Sequence, residues 1–325
     1  MSPIIIFRGN ISSQVQNNRH NFDLDIESRT SSPSGKQYLL GKARIMDSVN
    51  IVTCGSSLKV FSLPETVQIY EGPNVKKVTS ATWNYDGSCL ASCGATKPDH
   101  ITLTHTKNDK FSSVEIIGPH GRTGQIKALQ YPRTTSKFLC IAVDDHVLLY
   151  DINKKKSRQD FNKVLNVTCL SMNHNDKYIA AGNSNGQLYV LNSLTGRPSF
   201  TQPIQITDEE SALTSAAFNN IKYSMVGTSG DDGSVAFWDV NTGKELQTFR
   251  EHKAPATGLA FSPVNEVLVL SAGLDRRCVC YDTSLKRPFT SITLDAPVTS
   301  VDFASDGSNL ILGSSQVRLL WSQFN

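Results

Sequence analysis

Val78-Thr-Ser-Ala81-Thr-Trp83 is the stretch of sequence that decides the fold, because five further segments repeat its pattern. Each copy reads apolar, two variable residues, apolar, one variable residue, then an aromatic residue or Met. Successive copies start 48, 41, 46, 43 and 42 residues apart. The other five copies are Ile126–Tyr131, Val167–Met172, Leu213–Phe218, Ala256–Phe261 and Val298–Phe303.

This spacing is typical of a propeller built from repeated four-stranded blades. A period of roughly 40–45 residues, with four short strands per unit, marks WD40 repeats. At about 42 residues per blade, a seven-bladed ring uses nearly all of the 325 residues, so one domain is a better prediction than two. The sequence therefore predicts an all-β, seven-bladed WD40 β-propeller over residues 47–325.

Each unit is expected to follow one order of strands. The repeated segment forms the innermost strand, and a turn such as Tyr85-Asp-Gly87 leads to a second apolar strand. A third strand ends in an aromatic residue and Asp, as in Trp238-Asp239. The fourth strand, such as Glu245–Phe249, is short and polar, which protects the outer edge against pairing with another chain.

Closure of the ring requires strands from both ends of the chain. The last unit stops at its third strand, Val317–Trp321, and the first lacks an obvious inner strand. Propellers avoid exposed edges by mixing terminal strands in one blade. Residues 1–46 are therefore predicted to form an N-terminal arm that holds candidate ring-closing strands at Pro3–Arg8, Phe22–Ile26 and Tyr38–Met46.

Composition excludes several classes of function. The 32 Lys and Arg residues nearly balance 29 Asp and Glu, which argues against nucleic acid as a partner. The Ile4–Phe7 run is too short for a membrane segment or a signal peptide, so we expect no membrane partner and a cytoplasmic location. Seven Cys residues are expected to be buried thiols, and no metal or cofactor is predicted, since Cys278 and Cys280 lack further ligands at zinc-site spacing.

Three Ser, His and Asp sets could be mistaken for a hydrolase site. No Gly-x-Ser-x-Gly elbow accompanies them, and the Ser lies within a strand. We interpret them as structural tetrads, in which buried polar groups satisfy one another. The predicted members are His252, Ser271, Asp275 and Tyr281 in one blade, Ser229, Asp232 and Trp238 in a second, and His120, Asp144 and Tyr150 in a third.

Two other segments have weaker chemical interpretations. Gly118–Gly124 resembles a phosphate loop but lacks the Lys and the Ser or Thr that should follow it, so it is expected to be a turn between blades. Lys154-Lys-Lys156 is expected to be a solvated hairpin tip, with contact to an acidic partner as the alternative.

One part of the chain carries motifs that a generic blade does not require, namely the His-Lys-Ala-Pro and Phe-Ser-Pro-Val-Asn-Glu sequences within His252–Glu266. Further segments of the same kind are Asp232–Asn241, Ala272–Arg277, Tyr281–Ser284, Ala296–Phe303 and Gly313–Ser315. Together these residues resemble the WD40 propeller of the neural-precursor-cell-expressed, developmentally down-regulated (NEDD-type) proteins, which target the γ-tubulin ring complex.

The resemblance implies a non-catalytic protein-interaction platform. Family propellers direct their proteins to centrosomes and the mitotic spindle, in part through the augmin complex, for microtubule nucleation. The family's helical γ-tubulin-binding region does not appear in this sequence, so contact with the γ-tubulin ring complex is expected to be indirect. The implied partner-binding residues are Lys253, Pro255, Arg276 and Arg277.

Two alternatives remain open at this point. A generic WD40 substrate receptor or scaffold subunit of a ubiquitin ligase or coat complex would be favoured by Arg and aromatic residues at the mouth of the central channel. An enzyme is disfavoured, because no nucleophile and base pair and no metal cluster is apparent in the sequence.

Overall fold

A computed structural model describes most of the chain as short antiparallel strands. All of the secondary-structure elements in the described residues are β-strands, as the sequence predicts. Accordingly, none of these residues forms a helix long and apolar enough to cross a bilayer. The described residues are 24–30, 41–45, 48–54, 58–63, 67–72, 78–94, 100–107, 110–117, 125–143, 146–162, 164–208, 210–285, 287–303, 307, 309–314 and 318–324.

The strands have the following bounds in chain order. They are β1 Leu24–Thr30, β2 Gly41–Ile45, β3 Ser48–Cys54, β4 Leu58–Leu63, β5 Val67–Glu71, β6 Val78–Trp83, β7 Cys89–Gly94, β8 Ile101–Lys107, β9 Lys110–Ile117, β10 Ile126–Gln130, β11 Phe138–Val143, β12 His146–Asp151, β13 Lys156–Phe161, β14 Val167–Met172 and β15 Tyr178–Asn183. The remainder are β16 Gln187–Asn192, β17 Arg197–Pro198, β18 Ile204–Gln205, β19 Leu213–Phe218, β20 Met225–Gly230, β21 Val235–Asp239, β22 Glu245–Phe249, β23 Ala256–Phe261, β24 Leu268–Gly273, β25 Arg277–Asp282, β26 Pro288–Thr293, β27 Val298–Phe303, β28 Asn309–Ser314 and β29 Arg318–Phe324.

Five successive blades form the best described part of the propeller. They consist of β6 to β9, β10 to β13, β14 to β18, β19 to β22 and β23 to β26, each an antiparallel sheet in chain order. The outer strand of the third of these is divided, since β17 and β18 both pair with β16. The repeated six-residue segments coincide with the first strands, and these contact one another from blade to blade.

Hydrophobic side chains between neighbouring sheets hold the blades together. Between the blades that begin at β19 and β23, the fully buried ring of Phe237 makes edge-to-face contacts with Phe249, Phe261 and Tyr281. The distances between ring centroids are 5.9–6.2 Å. Full burial of a side chain of this size stabilises a fold by about 1.5–3 kcal/mol. Similar clusters lie between the other blades, so the core is a ring of interfaces.

Two further sheets flank the five blades. One consists of β2 to β5, and the other contains β27, β28 and β29 with β1 paired along the free edge of β29. The register joins Leu24 to Phe324 and Thr30 to Arg318. The all-β propeller is therefore established, but the predicted count of seven blades is not confirmed. Of the candidate closing segments, Pro3–Arg8 lies outside the described residues, as does most of the predicted arm.

Candidate partner-binding face

The predicted tetrad of the blade β23 to β26 forms one hydrogen-bonded chain. His252 precedes β23, Ser271 lies on β24, Asp275 is in the turn after β24, and Tyr281 lies near the end of β25. Nδ1 of His252 is 3.0 Å from Oδ1 of Asp275, and its Nε2 is 2.6 Å from Oγ of Ser271. The hydroxyl of Tyr281 is 3.1 Å from the same Oγ.

One assignment of protons satisfies every member of this chain. Tyr281 donates to Ser271, Ser271 donates to Nε2 of a neutral His252, and Nδ1–H of His252 donates to Asp275. Burial raises the pKa of Asp275, but the hydrogen bonds that it accepts from His252 and from backbone N–H groups outweigh this effect and leave the pKa below its ordinary value. Burial raises the pKa of Tyr281, which keeps its phenol protonated as a donor.

The same geometry could be mistaken for a catalytic triad, but it is inaccessible. Ser271 has 0% of its surface exposed, and the side chain of His252 is also 0% exposed. A nucleophile must reach a substrate carbonyl, and the Ser271 hydroxyl is enclosed by core side chains instead. The set is suited to holding the blade together.

The second predicted set does not form a network, and this prediction needs correction. Oδ1 of Asp232 accepts hydrogen bonds from the backbone N and Oγ of Ser234, at 2.9 and 2.6 Å. Oγ of Ser229 is instead 2.9 Å from Oγ1 of Thr214, and Nε1 of Trp238 is buried with no hydrogen-bond partner in the described part of the chain. The physical reason is the missing His, whose place against the second strand is taken by the shorter Thr207.

The third predicted set is only partly visible. His120 and Asp144 lie outside the described residues. Tyr150 is 1% exposed, within the core between the blades that begin at β6 and β10.

The complete tetrad fixes the two loops that carry the predicted partner-binding residues. Oδ2 of Asp275 accepts a hydrogen bond from the backbone N of Lys253 at 3.0 Å, and Oδ1 accepts one from the backbone N of Arg277 at 3.2 Å. The backbone N of Leu274 donates to the carbonyl of Pro255 at 2.9 Å. We call the surface formed by residues 251–255 and 273–277 the tetrad face.

The four predicted partner-binding residues differ in their availability on the tetrad face. Lys253 and Arg276 are exposed, and Pro255 is partly buried. The guanidinium of Arg277 donates to the carbonyl of Glu251 at 2.7 Å and to Oγ of Ser291 at 2.9 Å. Arg277 therefore stabilises the loop, whereas Lys253 and Arg276 present their charges to solvent.

Arg276 has an unusual backbone conformation. Its φ is 66°, in the left-handed region, where the corresponding turns of the two preceding blades have Gly186 and Gly233. A residue with a side chain costs roughly 1–2 kcal/mol in this region. Asp176, at φ 57°, is another such residue, but its carboxylate accepts hydrogen bonds from Arg133 and Thr134 of the neighbouring blade.

No comparable internal role explains Arg276. Its side chain makes no hydrogen bond or ion pair with the residues that the structure describes. Arg276 is thus a strained, exposed charged residue at a position where two other turns have glycine, and strained residues are frequent at functional sites.

Hydrogen bonds from a ring of threonines join the inner strands. These contacts were not predicted from the sequence. Oγ1 of Thr168 donates to the carbonyl of Leu213 in the next blade at 2.5 Å, and Oγ1 of Thr257 to that of Val298 at 2.8 Å. In the sequence, these hydrogen bonds are indicated by a Thr at the second position of the repeated segment. It occurs in five of the six copies, as Thr79, Thr168, Thr214, Thr257 and Thr299, while the sixth has Lys127.

Arg133, in the turn after β10, bridges the central channel at the end opposite the tetrad face. Its guanidinium donates to Oδ1 of Asn220 at 2.5 Å, and Nδ2 of Asn220 donates to the carbonyl of Phe261 at 3.0 Å. Burial lowers the pKa of Arg133, although the nearby carboxylates of Asp302 and Asp176 act in the opposite sense. This side chain therefore links non-adjacent blades across the channel mouth.

The cysteines offer no reactive centre in the described residues. Six of the seven thiols are free and buried, namely Cys89, Cys93, Cys140, Cys169, Cys278 and Cys280. Burial raises the pKa of Cys140 to about 12 and that of Cys169 to about 11, which suppresses the reactive thiolate. Within the described residues, no group of three or more His, Cys, Asp or Glu side chains is arranged to hold a metal ion.

Comparison with known proteins places this geometry in context. The family model described as "WD domain, G-beta repeat" matches residues 64–97 and 243–282. The chain is 32% identical to "Protein NEDD1" of Homo sapiens over 245 residues, which are 74% of this chain and 36% of that protein. It is 45% identical to "Protein NEDD1" of Mus musculus over 106 residues, or 31% of this chain and 16% of that one.

A more distant relative matches a comparable share of the chain. "Target of rapamycin complex subunit wat1" of Schizosaccharomyces pombe is 27% identical over 206 residues, which are 61% of this chain and 63% of that protein. The matched region thus spans about a third of the length of the human NEDD1 protein.

Proposed function

The chain is a NEDD1-type WD40 repeat protein, and from this premise we propose that it is a non-catalytic platform that targets the γ-tubulin ring complex machinery to centrosomes and spindle microtubules. The proposed partners are augmin or other centrosome and spindle components, with the γ-tubulin ring complex reached indirectly. The proposed location is the cytoplasm, at centrosomes and the mitotic spindle.

The observation that carries the proposal is the strained and exposed Arg276 beside Lys253. The tetrad fixes the backbone on both sides of these two charges, so the surface is preorganised and loses little conformational entropy on binding. Arg is enriched at the energetic centres of protein interfaces. These features support a partner that presents acidic groups to the tetrad face.

We also infer that the ring has seven blades and closes through its terminal strands. The pairing of β1 with β29, and the four-stranded sheet of β2 to β5, support this inference. The division into an arm of residues 1–46 and a propeller of residues 47–325 is part of the same proposal, with the arm supplying the closing strands.

The generic substrate-receptor alternative predicts a pocket of Arg and aromatic residues at the channel mouth. Arg133 does lie at one mouth, and the turn after β19 places Tyr223 in a stack with His174 at 5.2 Å. The Arg133 guanidinium is already bonded to Asn220, and the residue is partly buried. This arrangement favours a structural bridge, so we retain the targeting function.

The test is the location of the fluorescently tagged chain in mitotic cells. The proposal predicts accumulation at centrosomes and along the spindle, and a Lys253→Glu, Arg276→Glu double variant should lose it. Lys222→Glu is the matched control, because Lys222 is an exposed lysine in the turn after β19, on the opposite face. Diffuse wild-type signal would contradict the targeting function.

A further inference from the structure

Seven basic side chains are exposed on two neighbouring blades, at the end opposite the tetrad face. They lie in the turns after β10, β12, β14 and β16 and at the starts of β13 and β17, all of which meet at one end of the antiparallel sheets. We call this surface the basic rim. Its members are Lys137, Lys154, Lys155, Lys156, Arg158, Lys177 and Arg197.

Direct contacts hold these turns together. The backbone N of Ile152 donates to the carbonyl of Lys137 at 3.0 Å, and that of Ser193 donates to the carbonyl of Lys177 at 3.0 Å. The two blades meet where Gln159 packs so closely on Gly196 that a Cβ on the glycine would lie 2.2 Å from Oε1. The basic rim is therefore one continuous surface across both blades.

The acidic groups nearest the basic rim are already engaged. Oδ1 of Asp151 accepts a hydrogen bond from the backbone N of Lys154 at 2.9 Å, and the Asp176 carboxylate binds Arg133 and Thr134. In the part of the chain that the structure describes, ion pairs to acidic side chains are absent for six members. These are Lys137, Lys154, Lys156, Arg158, Lys177 and Arg197.

One member of the basic rim is held in a strained conformation. Lys155 has φ 51°, at the position that Gly196 and Gly243 occupy in the corresponding turns of the next two blades. Glycine would remove a steric cost of roughly 1–2 kcal/mol. The lysine thus places a positive charge in this turn at a position where the next two blades have glycine.

A cavity of about 630 Å³ adjoins the basic rim. Tyr178, Phe200 and Val240 line it together with Arg197 of the rim. Nζ of Lys177 lies 4.9 Å above the ring of Tyr178, and the neighbouring Leu194 is 64% exposed. Positive charge thus lies at one side of an opening that is large enough for an aromatic side chain.

We propose that the basic rim binds an acidic segment of a partner protein, whose carboxylates pair with the lysines and arginines and whose aromatic side chain enters the cavity. A nearly neutral chain with a basic patch on two blades, next to an opening lined in part by aromatic side chains, fits such a segment better than a nucleic-acid backbone, which requires a broad basic surface. The proposal does not depend on the targeting function, since the tetrad face is at the other end of the blades.

The binding test uses fluorescence anisotropy with the full chain. The probe is a short fluorescein-labelled peptide of Glu and Gly with a single central Phe. Lys154→Glu with Lys156→Glu should weaken its binding about tenfold at low salt. A Lys222→Glu, Lys244→Glu variant is the matched control, because both lysines are exposed at the same end of the next blade, and it should bind as the wild type does.

Two further variants examine the cavity and the strained lysine. Thr195→Trp should occlude the cavity that Thr195 lines, and should reduce binding of the Phe peptide to the level of a peptide with Ala in its place. Lys155→Gly should weaken binding, because it removes one positive charge from the basic rim.

Several results would overturn the proposal. They are absence of binding to the wild type, equal weakening by the control variant, and equal binding of a peptide with Gln in place of Glu. Tighter lysine-dependent binding of duplex DNA or of phosphatidylserine vesicles would assign the rim to those ligands instead.

Discussion

Nε2 of His252 lies 2.6 Å from Oγ of Ser271, within a hydrogen-bonded chain that begins at Tyr281 and ends at Asp275. The chain ties the loop before β23 to the second and third strands of the same blade. It also orients the backbone of Lys253 and Arg277 through the Asp275 carboxylate. A buried polar network therefore shapes an exposed surface, which makes its contributions to stability and to binding separable by mutation.

Asp275→Ala should destabilise the fold by about 1–3 kcal/mol, because it leaves buried donors of His252 and the loop backbone unsatisfied. The measurement is chemical denaturation followed by intrinsic fluorescence. Asp232→Ala is the matched control and should cost less, since within the described residues Asp232 bonds with Ser234 of its own turn and with the exposed Arg250. An Asp275→Ala protein with unchanged stability and lost partner binding would make Asp275 a surface contact.

Low pH should remove the contribution of Asp275 to the stability of the fold. Its pKa is lower in the folded protein than the ordinary value of 3.8. The ionised carboxylate therefore stabilises the fold fully above that value, and the benefit is lost as the pH falls through the folded pKa. The difference in unfolding free energy between wild type and Asp275→Asn should be constant near neutrality and should shrink below about pH 4. A difference that grows on acidification would reverse the assigned protonation state.

Thr257→Val should weaken the joint between two blades. Its hydroxyl reaches the carbonyl of Ala272 in its own blade and that of Val298 in the next, at 3.2 and 2.8 Å. The loss should be about 1 kcal/mol, measured by denaturation. Thr293→Val on the outer strand β26 is the control, because Thr293 is exposed, and it should be near neutral. Equal stability of the two variants would show that the threonine ring does not join the blades.

The repeated six-residue segment predicted the inner strands correctly because it combines two local constraints. Its first and fourth residues pack in the core, as Val78 and Ala81 do, and the aromatic residue at its end fills the space between blades, as Trp83 and Phe218 do at 1% exposure. The complete tetrad could likewise be predicted, since the spacing from Asp275 to Tyr281 places both on one turn and strand.

Other features required the three-dimensional structure. Asp232 has the same spacing to an aromatic residue as Asp275, but without a His the carboxylate turns to Ser234, so the pattern alone was misleading. The left-handed conformation of Arg276 was not predictable, because Arg is not a residue that favours it. The candidate closing segment Phe22–Ile26 overlaps β1, but its pairing with β29 and the register of that pairing join distant parts of the chain and were not predictable from the sequence.

Arg276→Gly should leave the fold as stable or increase its stability by up to about 1 kcal/mol. Glycine relieves the strain at φ 66°, and the greater entropy of the unfolded glycine chain offsets part of the gain. Thermal melting measures the change. A clear loss of stability would mean that the Arg276 side chain has an internal role.

The most direct test of the proposed targeting function is the location of the tagged Arg276→Gly variant in mitotic cells, compared with the tagged wild type. The account predicts that the wild type accumulates at centrosomes and the spindle, while the equally stable Arg276→Gly protein shows a strongly reduced signal there. Undiminished accumulation of the folded variant would contradict a role for Arg276 in targeting, and diffuse wild-type signal would contradict the targeting function itself.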